Sequence, residues 1–364
     1  MSSTGLHPSG DSLAVPRAWG VPPLRSASLR ERAEDFTVEE EVGIAPTGDG
    51  EHLWLLIEKR GVNTEAAARE LAAAARVSRR AVSYAGLKDR HALARQWFSV
   101  QLPAHGGEQI VTSLPPEIRV LHYAWHRRKL RRGALAGNCF VVVLKDVTGD
   151  RDGVLERIEW LSRRGVPNYF GEQRFGRRGG NLERAEAYLR GETRVRDRQL
   201  RSYLLSAARA QIFNAVLASR VADGSWDRLL PGEAVMLAGT RSFFLTESVD
   251  EQLQRRLREA DLHPSGPLWG RGGTQAGGEV AALERRVAHT HASLARGLEA
   301  CDMAPSRRPL RVIPDHFRWQ WSGAGELTLR FRLPAGAFAT AVLRELADYR
   351  DHQRNEEPGC QQET

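Results

Sequence analysis

The chain has 364 residues, with 53 lysines and arginines against 45 aspartates and glutamates, a formal charge of +8 and a pI near 9.8. This length suggests two or so domains, each able to bury its own core, and a basic balance carried mostly by arginine suits a nucleic acid or another anionic partner. Cys139, Cys301 and Cys360 are too few and scattered for a disulfide framework or a zinc cluster, and the longest apolar run, Cys139 to Leu144, is far too short to cross a bilayer.

A soluble protein of the reducing cytoplasm is therefore expected, with no membrane contact. Residues 1 to about 27 are rich in Gly, Ser and Pro and read as a flexible leader. From Phe36 the pattern alternates, which predicts a strand over Phe36 to Val42 and another around Leu53 to Glu58. Thr64 offers an N-cap for an Ala-rich helix to about Arg76, and a short helix follows from Ser78. A loop over Gly86 to His91 leads into a strand in which Phe98, Val100 and Leu102 face one way and Trp97, Ser99 and Gln101 the other.

The densest basic run, His126 to Gly133, comes next, with Arg127, Arg128, Lys129, Arg131 and Arg132. Such runs are usually solvated loops; the other reading is contact with phosphates. Phe140 to Val147 is apolar enough for a central strand. Arg-rich helices, a Gly-rich stretch over Ser265 to Gly278 and a helix from about Glu279 to Cys301 then intervene before sheet character returns at Leu327 to Leu333. The expectation is a mixed α/β core, largely antiparallel, interrupted by an inserted domain. His289 and His291 stand two apart in that helix, share no face and read as surface residues.

The segment Ala85 to Ala92 places Asp89 between Lys88 and Arg90, with Gly86 upstream and His91 downstream. Cationic neighbours favour an ionised carboxylate, which is what a nucleophile requires, although a Lys-Asp-Arg run taken alone is more often a solvated ion-pair face. Four other segments accompany it in order: Ala33 to Glu39, Gly137-Asn138-Cys139-Phe140, Val166 to Gly176, and Leu333 to Thr340. Together the five resemble the signatures of the TruD family of tRNA pseudouridine synthases, and the resemblance covers about Leu29 to Leu346.

That resemblance implies an isomerase that converts uridine to pseudouridine in tRNA, expected at position 13, on a pseudouridine synthase catalytic domain with an inserted α/β TRUD domain and an RNA cleft between them. The implied boundaries are a leader over 1–27, the catalytic domain over 28–164 and 313–350, the insertion over 165–312 and a polar tail over 351–364. The required carboxylate falls on Asp89. Phe36, Asn138 and Phe338 would hold a flipped-out uridine, with Phe140 supporting them from the same strand face as Asn138. Read alone, each Phe is ordinary core and Asn138 a turn residue. Arg30, Lys88, Arg90, Arg127, Arg128 and Lys129 are expected to contact the RNA backbone.

Two positions depart from the family pattern: Arg30 stands where a lysine often precedes the Glu-Asp-Phe motif, and Ala337 replaces the usual serine before Phe338. The reaction is redox-neutral, and the sequence holds no Gly-x-Gly-x-x-Gly, Walker A or His-Glu-x-x-His motif, so no cofactor and no metal are expected. The rival reading is a non-catalytic tRNA-binding protein or RNA chaperone on the same scaffold; a methyltransferase is weaker, because no Gly-rich cofactor loop follows a strand. A monomer with no obligatory protein partner is expected.

Overall fold

The computed structural model describes residues 15–102, 107–131, 133–176, 179–323 and 325–352. Arg132, Cys360, most of the expected leader and most of the expected tail lie outside the described residues. The elements in chain order begin with β1 (Leu24–Leu29), β2 (Phe36–Val42), β3 (His52–Lys59), α1 (Thr64–Ala74), β4 (Val82–Tyr84), β5 (Leu93–Gln101) and α2 (Glu108–Thr112). They continue with β6 (Ile118–His126), β7 (Leu135–Gly149), α3 (Arg151–Arg164), β8 (Val166–Pro167), α4 (Gly180–Leu189), α5 (Arg198–Ala222), β9 (Glu233–Leu237) and β10 (Phe243–Thr246). Then come α6 (Glu251–Arg258), β11 (Leu262–His263), β12 (Ser265–Leu268), α7 (Gly278–Thr290), α8 (Ala292–Ala300), β13 (Ser306–Pro309) and β14 (Arg311–Val312). The series closes with β15 (Asp315–Ser322), β16 (Glu326–Pro334), α9 (Ala339–Leu346) and β17 (Arg350–Asp351).

Contacts divide the chain into two compact units. Unit 1 holds residues 1–21, 163–313 and 340–345; unit 2 holds 22–162, 314–339 and 346–364. Unit 2 is built on one sheet to which ten of the described strands contribute, with the path β15-β16-β7-β2-β5-β3-β6 and with β1, β4 and β17 attached to it. Its pairings are antiparallel except β2 with β5 and β1 with β17. The alternation read in the sequence puts Phe36, Val38 and Glu40 of β2 on the buried side, opposite Val142, Phe140 and Asn138 of β7. Helix α1, whose first turn is capped by the Asn63 side chain accepting from the Ala66 N–H, presses Ala67, Ala68 and Leu71 against Leu53, Leu55 and Ile57 of β3.

In unit 1 the long helix α5 is buried through Leu204, Ala208 and Ile212 against α8 and its neighbours. Asp197 starts it by accepting two backbone N–H bonds.

Three expectations need correction. The leader does not extend to about residue 27, because Leu24–Leu29 is a strand paired with β7 and β17, with Leu24 and Leu29 fully buried. The helix expected from Glu279 to Cys301 is two helices meeting at His291, which is half-buried there instead of lying on the surface. The N-cap of α1 is Asn63, one residue before the expected Thr64, whose side chain instead bonds Gln96 and the Lys88 N–H.

Candidate active site

The loop that follows β4 is fixed at almost every residue. The Gly86 carbonyl accepts from Gln96 Nε2 at 2.7 Å, and the Lys88 N–H donates to Thr64 Oγ1 at 2.9 Å. Lys88 Nζ pairs with Glu40 at 2.6 Å, and Lys59 Nζ donates to the Asp89 carbonyl at 3.1 Å and to that of Val62 at 2.7 Å. Strands β2, β3 and β5 and the start of α1 thus all hold this loop. A loop anchored to sheet and helix can present one side chain in a fixed position.

That side chain is Asp89. Its Oδ1 accepts from the His91 N–H at 3.1 Å and its Oδ2 from Arg30 Nη1 at 2.7 Å, and the side chain is 18% exposed. Arg30 is itself buried, bonds Asp351 through Nε at 3.0 Å and through Nη2, and lies with its guanidinium 5.2 Å from the centre of the Phe36 ring. One cation therefore joins two carboxylates and an aromatic face. Arg30 follows β1 in the left-handed backbone region at φ 60°, which is uncommon for a non-glycine residue and recurs at functional sites.

Burial would raise the Asp89 pKa; attraction to Arg30, helped by the His91 N–H, outweighs it and holds the carboxyl below the usual aspartate range. The charged form is favoured as expected, but by a different partner. The leading attraction comes from Arg30, 59 residues away in sequence, with His91 adding to it. Burial pushes Lys59 down to about 8 against the attraction of Asp89, with Lys88 adding to the depression.

Phe36, Phe140 and Asn138 lie on one face of β2 and β7. The Phe36 and Phe140 rings meet edge to face at 6.0 Å, and Phe140 stacks on Phe331 of β16 at 5.5 Å. Asn138 Oδ1 is buried with no hydrogen-bond partner among the described residues. Phe338 is half-buried in the turn between β16 and α9, beyond Pro334, which pairs with Gly137 beside Asn138.

The proposed backbone contacts divide into two groups. Arg30 and Lys88 are corrections: both side chains are buried and committed to carboxylates, Arg30 to Asp89 and Asp351 and Lys88 to Glu40, so neither is presented to a phosphate. Arg90, Arg127, Arg128 and Lys129 are exposed. Arg127 forms a forked ion pair with Asp49, at 2.7 Å for the shorter arm, yet keeps 71% of its side chain in solvent.

Sequence reasoning missed Glu40, Lys59, Gln96 and Asp351. Polar residues at the inward positions of alternating strands were the available signal for the first three. Asp351 had none.

The profile of tRNA pseudouridine synthase D (TruD) matches this chain over residues 23–195 and 180–346. This chain belongs to the TruD family. It is 48% identical over 336 residues to tRNA pseudouridine synthase D of Pseudomonas syringae pv. syringae strain B728a, covering 92% of this chain and 95% of that protein. The protein of the same name from Azotobacter vinelandii is also 48% identical, over 340 residues, with 93% and 96% covered. Among solved structures, that of a Methanosarcina mazei protein assigned to TruD superposes with a TM-score of 0.67 at 21% identity, covering 91% of this chain and 95% of its own, a likeness of fold. The Asp89 loop, β2 and the Asn138 strand all lie inside the matched TruD region.

Proposed function

We propose that this TruD-family chain isomerises a uridine of tRNA to pseudouridine, at position 13, with Asp89 as the group that acts on the nucleoside. The chain is an isomerase of the pseudouridine synthase type. In the reaction the N1–C1′ bond breaks, the base turns, C5 bonds to C1′ and gives up its proton, and the freed N1 takes up a proton in its place. No electron donor or acceptor enters the balance. Asp89 either attacks the sugar or base or promotes a glycal intermediate; in each case it must start ionised, and the Arg30 pair keeps it so.

The observation that carries this reading is the combination of a rigidly held, partly exposed carboxylate with an aromatic face and an unpaired amide acceptor on the same sheet. A uridine leaving its stack needs flat apolar groups and a hydrogen-bond partner for its imide, and Phe36, Phe338 and the Asn138 carbonyl oxygen are assigned those roles, with Phe140 behind them. An unpaired buried acceptor costs roughly 1–3 kcal/mol, which the uracil N3–H would relieve.

We assign the catalytic domain to residues 28–164 and 313–350 and the inserted domain to 165–312, and we place the protein in the cytoplasm as a monomer. Among the described residues no helix is long and apolar enough to cross a membrane. Unmodified tRNA transcripts incubated with purified protein, then mapped by carbodiimide treatment and primer extension, should show one new stop at position 13. Tight binding with no pseudouridine anywhere would favour the non-catalytic tRNA-binding alternative.

A further inference from the structure

Lys59 is a cation at a place where an apolar residue would serve the core better. It ends β3 in register with Leu53, Leu55 and Ile57, which pack against α1, and it is fully buried. Among the described residues it forms no ion pair: Nζ donates to two neutral acceptors, the carbonyls of Val62 at 2.7 Å and of Asp89 at 3.1 Å. Lys88, the other buried lysine at this loop, is matched by Glu40 at 2.6 Å. Taking an ammonium out of water without a carboxylate bonded to it is costly, and a well-packed apolar side chain in its place is often neutral or stabilising. The cost shows in the protonation of Lys59: burial brings it down to about 8, with the charge of Lys88 adding to the depression and that of Asp89 opposing it.

What the cation holds gives it a use. Val62 stands next to Asn63, the N-cap of α1, and Thr64 Oγ1 in the first turn accepts from the Lys88 N–H at 2.9 Å and donates to Gln96 Oε1 at 3.0 Å. Gln96 Nε2 donates in turn to the Gly86 carbonyl at 2.7 Å. The start of α1, β5 and the loop over 86–89 are thus tied into one circuit of buried hydrogen bonds, and Lys59 is its charged donor. Arg30 grips the carboxylate of Asp89 while Lys59 grips its carbonyl, so two buried cations fix the side chain and the backbone of the same residue. Hydrogen bonds from an ionised donor are shorter and stronger than those between neutral groups.

We propose that Lys59 is a positioning residue for the isomerisation: its buried charge holds the Asp89 backbone so that the carboxylate meets the nucleoside in one orientation, and loss of that charge slows the reaction without weakening tRNA binding. The inference rests on the assignment of the reaction to Asp89 above. Lys59 is shut off from solvent and acts only through Asp89, whose small displacement is enough to spoil the approach of the reacting atoms.

The test compares the natural protein with Lys59→Gln, which keeps N–H donors and loses the charge, and with Lys59→Met, which loses both. Single-turnover pseudouridine formation at saturating tRNA transcript and neutral pH should fall roughly tenfold or more in each, while tRNA Kd stays within about twofold. The natural rate should decline as pH rises through about 8, where the ammonium loses its proton, and this alkaline limb should be missing from Lys59→Gln. A lysine that merely fills space would leave the pH profile where it is. A folded Lys59→Gln protein with the natural rate and the natural alkaline limb would overturn the inference. Should both variants fail to fold, the natural protein still decides, since a rate that stays level through about pH 8 contradicts it. Amide hydrogen exchange over residues 86–91, measured on the free proteins, should quicken in Lys59→Gln. If the natural protein forms no pseudouridine while this exchange still quickens, the enzymatic reading falls and the hold of Lys59 on the loop stands.

Discussion

Arg30 controls the site from a distance that local sequence does not reveal. It was legible only as a cation near the Glu-Asp-Phe motif, and its conversion from phosphate contact to carboxylate partner comes from strand pairing: β1 lies between β7 and β17, which brings Asp351 and Asp89 to the same guanidinium. Asp89 itself was legible because glycine, lysine and aspartate stand together in a loop. Lys59 was legible only through its register with Leu53, Leu55 and Ile57, since a lysine in an alternating strand is ordinarily an outward residue, whereas here it is fully buried under the Asp89 carbonyl. Replacing Arg30 with Gln removes the attraction that holds the Asp89 pKa down and leaves the burial that raises it. The acid limb of the single-turnover rate against pH should therefore move upward. A carboxylate whose folded pKa is depressed adds stability above its unfolded pKa and loses it as pH falls through the folded value, so the variant, in which that depression is gone, should lack this part already at neutral pH and be weakened less by acid than the natural protein. Breaking the buried pairs should cost about 3–5 kcal/mol in denaturant melts near neutral pH. An acid limb that stays in place in the folded variant would show that Arg30 does not set the charge of Asp89.

At the level of elements, alternation was a reliable guide where one face of a strand is buried. Phe36–Val42 and the strand through Leu327 to Leu333 were readable because inward and outward positions differ in polarity. β1 failed this test, since Ser26, Ser28 and Arg25 interleave with its leucines and imitate a polar leader. The junction at His291 was invisible for a different reason: α8 packs on α4 through Gly297, where an added Cβ would lie 2.5 Å from the Leu189 Cβ, a contact between segments distant in sequence. The basic run after β6 presents Arg127, Arg128 and Lys129 to solvent. Neutralising all three should weaken tRNA binding and flatten its salt dependence by up to three charges, less whatever Asp49 already cancels at Arg127, with the same uridine modified. An unchanged salt slope would mark the run as a solvated loop.

Over the whole molecule, the charge of +8 was a fair guide to the class of partner and a poor guide to where that partner is met. Many of the arginines are spent inside the protein, on Asp89 and Asp351, on Glu233 and on Glu284. Composition cannot separate these from exposed cations; only the fold sorts them. The mixed, largely antiparallel architecture was legible from periodicity together with the five signatures, while the pairing of distant segments around Arg30 was not. The central claim is that Asp89 performs the isomerisation, and single-turnover pseudouridine formation by Asp89→Asn tests it most directly, alongside tRNA affinity for the same preparation. The substitution keeps size and removes charge, so product should fall to background while tRNA binds as tightly as before or slightly more tightly, a negative charge near the phosphates having been removed. A folded Asp89→Asn protein that still converts uridine at a rate within roughly tenfold of the natural one would contradict the assignment.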